Sequence, residues 1–138
     1  AGIGVKGDTA LTAQTNKILE LAGQSMRLTT QQYRMNASLK KSPWLKFIID
    51  YDPSGDISKT FCPVMAINGN RDIQVISSLN LTGIKAHLKN NPKNVIKEYP
   101  SLNHLFQHCK TGNISEYRMI EETISPEVLE DIVRFIKQ

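Results

Sequence analysis

The sequence has 138 residues, of which 40% are hydrophobic and 22% charged, with a net charge of +4. These proportions exclude a disordered tail and a collagen-like chain, and no apolar run approaches the ~18 residues that a membrane-spanning helix needs. The basic residues are scattered, with Lys40-Lys41 the only adjacent pair. That pattern fits a solvated basic surface rather than a phosphate-binding footprint, so no nucleic-acid partner is expected. The chain opens on Ala1 with neither Met nor a signal-peptide pattern. We therefore expect either a processed start or an excerpt of a longer protein. Two cysteines, Cys62 and Cys109, are too few for a disulfide framework and leave the compartment open.

Residues 1–7 are small and rich in glycine, and Asp8 can cap a helix that starts next. Apolar residues then recur at helical spacing: Leu11, Ile18, Ala22 and Met26 on one line, with Leu21 and Leu28 beside it. Residues 29–41 are polar. Ser42-Pro43 reads as an N-cap followed by Pro at the first helical position. Trp44, Phe47, Ile48 and Tyr51 follow at i, i+3, i+4 and i+7, which predicts one buried face of a short helix. Asp52-Pro53 stops it and Ser54-Gly55 makes a turn. Cys62 opens an apolar run and is expected to be buried. Pro63–Ile67, bounded by Asn68-Gly69, reads as a strand buried on both faces, the parallel-sheet type. A helix is predicted from Ser77 to Lys89, with Leu81, Ile84 and Leu88 on one face. Asn94–Tyr99 is a second strand, closed by Pro100. Little periodicity shows between Pro100 and Ser125. Ser125-Pro126-Glu127 then starts a helix whose apolar face is Leu129, Ile132, Val133 and Ile136. The order strand, helix, strand, long loop, helix is a βαβ unit with a terminal helix, hence an α/β fold. We divide the chain into a helical region, 1–60, and a βαβα region, 61–138. A parallel pair of strands has two open edges and needs cover on both faces, so further strands are expected.

Several constellations resemble known chemistry and lack its context. Gly2-x-Gly4-x-x-Gly7 has dinucleotide spacing, but no strand precedes it, so no cofactor is expected. Ser38-x-x-Lys41, Ser78-x-Asn80 and Lys110-Thr111-Gly112 mimic the penicillin-recognising serine enzymes, but the last lies in a polar loop. His104 and His108 are four apart without helix signals or further ligands, and the Asp50, Asp52 and Asp56 set lacks the closing Glu of a calcium loop. No metal is expected.

Asp72 and His104 are the informative pair. Each lies just past the C-terminal end of a predicted parallel strand, and parallel strands bring both loops to one edge of the sheet. A carboxylate there can accept a hydrogen bond from one imidazole nitrogen and fix the tautomer. The other nitrogen is then free to take a proton from a nucleophile. The plainer alternative is an exposed turn Asp and a loop His that never meet.

At these residues the sequence resembles the C-terminal part of an α/β-hydrolase. The resemblance rests on Cys62-Pro63-Val64-Met65-Ala66-Ile67-Asn68-Gly69-x-x-Asp72-x-Gln74-Val75 and on Leu102-Asn103-His104-Leu105-Phe106-Gln107. Ser42–Phe47 and Asp50–Pro53 look like the segment before the penultimate strand, and Ala1–Asp8 like a loop before the cap region. The resemblance implies a partial α/β-hydrolase fold, with the last two strands and a helical cap over residues 9–51. It makes Asp72 the acid and His104 the base of a Ser–acid–His triad. It also implies a serine hydrolase cleaving a small acyl or peptide substrate at an ester, thioester or peptide bond. The nucleophile should sit on a Gly-x-Ser-x-Gly elbow, a few tens of residues before Ala1, because no serine here has that setting. The chain alone should then lack triad chemistry, and its open sheet edge and uncovered apolar face should drive self-association through the strand Pro63–Asn68 or its covering helices. Trp44 and Phe47 would line the acyl pocket or pack in the core. The rival expectation is a non-catalytic binding module with a hydrolase-like half-fold.

Overall fold

The computed structural model describes residues 51–138 and, before them, residues 12, 13, 15–17, 19, 20, 27, 29, 43, 44 and 47. The chain divides into two compact units, Ala1–Asp56 and Ile57–Gln138. The division falls four residues before the one expected from the sequence.

In the first unit, the described residues between Thr12 and Glu20 are helical, as are Pro43, Trp44 and Phe47. Glu20 is paired with Lys17 at 3.0 Å and with Arg27 at 3.5 Å. The Lys17 hydrogen bond and charge hold the Glu20 carboxyl below its usual range. The glycine-rich opening, the Ser38–Lys41 pattern and most of the apolar line from Leu11 to Leu28 lie outside the described residues. The expected burial of the next helix face is not found: Trp44, Phe47 and Tyr51 are all exposed. Phe47 and Tyr51 instead stack on each other, with ring centroids 5.6 Å apart. They lie four residues apart, and the Tyr51 N–H donates to the Phe47 carbonyl at 2.8 Å.

The second unit is built on two parallel strands, β1 (Met65–Gly69) and β2 (Val95–Tyr99), in register Met65 to Val95 through Gly69 to Tyr99. Helix α1 (Ser77–His87) makes the crossover between them. A 3-10 helix (Ile114–Met119) interrupts the long loop, and α2 (Pro126–Ile136) ends the chain. The unit is therefore α/β with a parallel two-stranded sheet. Strand β1 begins two residues later than expected and runs through Asn68-Gly69, which the sequence marks as its boundary. The reason is Gly69. A Cβ there would fall on the Leu102 carbonyl oxygen, so only glycine lets β1 pass that close to the chain leaving β2.

Cys62 is exposed, contrary to expectation, and both cysteines are free thiols. It precedes β1 by three residues and so never enters the sheet. The core is small: Tyr99, Leu102 and Val128 are fully buried, with Ile67, Phe106, Ile124 and Ile132 packed against them. Tyr99 meets Phe106 edge-on at 6.2 Å. Helix α2 thus buries Val128 and half-buries Ile132, while Leu129, Val133 and Ile136 of its expected face are exposed. Its orientation is set by Asp131. That carboxylate accepts from Lys97 Nζ at 2.6 Å and Tyr99 Oη at 2.8 Å on β2.

Candidate active site at the C-terminal edge of the sheet

Both strands end at the same edge, and both loops fold back there. The Asn70 backbone N–H donates to the Tyr99 carbonyl at 2.9 Å, and that of Arg71 to the Leu102 carbonyl at 3.0 Å. Asn70 Oδ1 accepts from the Ser101 N–H at 2.8 Å. The two strand exits are therefore stitched residue to residue before either functional side chain is reached.

Asp72 is buried, and all its acceptor capacity is used. Oδ1 accepts the backbone N–H groups of Gln74 and Val75, each at 2.8 Å. Oδ2 accepts from Asn68 Nδ2 at 3.0 Å and contacts His104 Nδ1 at 2.8 Å. A carboxylate offers about four acceptor positions, and four donors fill them here. An acceptor-only carboxylate requires the proton to sit on Nδ1 of His104. Nε2 then carries the lone pair of a base, as the triad arrangement needs. The His104 side chain is 38% exposed while that of Asp72 is 4% exposed. The imidazole is thus anchored on its buried side and open on the other.

His104 is held by its own loop. Asn103, fully buried, accepts the N–H groups of Leu105 at 2.9 Å and Gln107 at 3.0 Å through Oδ1. Its Nδ2 donates to Gln107 Oε1 at 3.0 Å, and Gln107 Nε2 donates to the Glu122 carbonyl at 2.8 Å. An antiparallel bridge between Leu102 and His108 closes the loop at its base. Ser101 and Phe106, at φ 63° and 56°, occupy the left-handed region that bulky residues avoid. The segment from Pro100 that lacks periodicity is therefore a tight, internally bonded loop rather than a slack one.

His108 does not join His104. Its ring faces Glu122, with Nδ1 3.0 Å from Oε2, and its backbone N–H donates to the same carboxylate at 2.6 Å. That backbone bond, with the ring bond beside it, holds the Glu122 carboxyl below its usual range. Among the described residues, no group of three or more His, Cys, Asp or Glu side chains could hold a metal ion. Lys110-Thr111-Gly112 lies in a loop, as expected, where the Thr111 and Gly112 N–H groups donate to Glu116. Its resemblance to a core-strand motif is coincidental. Arg71, between the strand end and Asp72, donates to the Cys109 carbonyl.

The structure therefore brings Asp72 and His104 together. Asn68, Asn103 and Gln107 also build the site; the sequence carries them only inside the segments around Asp72 and His104, with no role of their own. Only the Asn-Gly pair at Asn68 carries a signal, and it marks the end of the strand. Compared with protein-family models, curated proteins and solved structures, the chain gives no match.

Proposed function

We propose that this chain supplies the acid and the base of a serine hydrolase of the α/β-hydrolase type. The reading is carried by one observation: the buried Asp72 carboxylate 2.8 Å from Nδ1 of a half-open His104. The resemblance of the residues around both groups supports it. The serine comes from a Gly-x-Ser-x-Gly elbow outside these 138 residues. His104 Nε2 takes the serine proton as the hydroxyl attacks the carbonyl of an ester, thioester or peptide. It then gives that proton to the leaving group. Asp72 keeps Nδ1 protonated and stabilises the imidazolium that forms. No metal or cofactor takes part in these steps.

The test uses the protein together with the segment that carries its elbow. A fluorophosphonate probe should label the serine, and p-nitrophenyl esters should be hydrolysed with a burst. Asp72→Asn should lower kcat about 10⁴-fold, the cost of the wrong tautomer in such a triad. His104→Ala should abolish labelling. Residues 1–138 alone should show neither label nor burst. Labelling untouched by both substitutions, or an upstream segment without the elbow, overturns the reading.

A further inference from the structure

Asn68 lies in β1, four residues before Asp72, and is buried. Its Nδ2 faces three acceptors: Asp72 Oδ2 at 3.0 Å, the Val75 carbonyl at 3.2 Å and the Gly69 carbonyl at 3.3 Å. The flipped amide would set an oxygen against three oxygens, so this orientation is chemically required. The amide thus shares with His104 the same oxygen of Asp72. The other oxygen is held by two backbone N–H groups and would keep the carboxylate in place without Asn68.

We propose that Asn68 is a positioning residue that sets the basicity of His104 through Asp72. The inference rests on the triad reading given above. Each donor on a carboxylate disperses its charge and weakens its hold on a neighbouring imidazolium. With Asn68 present, Oδ2 divides its charge between the amide and the imidazole. The carboxylate then holds the imidazole in place without engaging Nε2, whose lone pair is left to take the serine proton. Four other titratable groups on the surrounding loops have partners of their own, among them Glu116, which accepts the Thr111 and Gly112 N–H groups. Arg71 donates to the Cys109 carbonyl, His108 faces Glu122, and the Tyr117 hydroxyl accepts from Gln74 Nε2 at 3.3 Å.

The experiment is NMR on the chain with 15N-labelled histidine and asparagine, which needs no catalytic activity. In the unsubstituted protein, His104 should be the Nδ1–H tautomer, and the Asn68 side-chain amide should shift with the same midpoint as His104. Asn68→Leu keeps the branched heavy-atom outline and removes the donor. It should raise the His104 midpoint by about one pH unit while the Nδ1–H signal persists. A folded Asn68→Leu protein with an unmoved midpoint overturns the role of Asn68. So does an Asn68 amide that ignores the titration in the unsubstituted protein, and that measurement stands even where the variant does not fold. In both cases an Nδ1–H tautomer leaves the triad reading intact. An Nε2–H tautomer in the unsubstituted protein overturns the triad reading and the inference together.

Discussion

Asp72 satisfies two backbone N–H groups, one amide and one imidazole with a single buried side chain. Replacing it by Asn keeps the shape and reverses the sense of one end. The Oδ1 side still accepts from Gln74 and Val75, but an NH2 group then faces the amide of Asn68 and the ring of His104. Donor meets donor on one contact, and His104 must present a bare Nδ1 on the other. We expect Asp72→Asn to lower stability by about 1–3 kcal/mol, the cost of a buried group left without its partner. Urea unfolding measures this, and an unchanged midpoint would mean that the carboxylate is not held as described. Asp72 and His104 were legible as a pair because strand direction alone decides where their loops emerge. Asn68 and Asn103 were not. An amide has no charge and no periodicity, and its meaning depends on which acceptors the fold places around it.

At the scale of elements, α2 is joined to β2 by polar groups as well as by the burial of Val128. Lys97 pairs with Asp131 at 2.6 Å and Glu127 at 2.7 Å, and the Tyr99 hydroxyl donates to Asp131. These bonds fix the rotation of the helix, which is why Val128 turns inward and Leu129 does not. The spacing of the stripe showed that a helix was there. It did not show which side faces the sheet, because two strands are too narrow to cover the whole stripe. The same bonds predict a pH dependence. Hydrogen bonds from Lys97 and Tyr99 hold the Asp131 carboxyl below its usual range. Its contribution is therefore present above the unfolded value near 3.8 and is lost as pH falls through the lower folded value. Burial and the Asp131 bond push the Tyr99 phenol up to about 12, and Asp131 and Glu127 raise the Lys97 ammonium. Both contributions are complete below pH 10 and fade as pH rises through the folded values. Tyr99→Phe should cost about 1–2 kcal/mol at neutral pH. The gap between the two proteins should close as pH rises from 10 towards 12. A gap independent of pH would place the loss in packing and not in the hydroxyl.

At the scale of the molecule, the second unit shows more apolar surface than so small a core explains. Among the described residues β1 pairs with β2 alone, which leaves each strand with an open edge. Leu129, Val133 and Ile136 form an outward row on α2, at 46%, 48% and 75% exposure. Contiguous apolar rows of this kind are uncommon on the surface of a stable monomer. A net charge of +4 opposes association only weakly and is screened within about 10 Å at 0.1 M salt. We therefore expect the 138-residue chain to self-associate as its concentration rises. Sedimentation equilibrium reads this directly, and a clean monomer at every concentration would sink the expectation. Two surfaces compete for the contact, and one substitution separates them. Val133→Lys places a charge in the middle of the helical row and leaves the strand edges untouched. Association that survives it runs through a surface other than α2, the sheet edge first among them; the sequence leaves both the strand and its covering helices open as routes. Association that is lost runs through α2, whose outward face periodicity alone assigned to the interior.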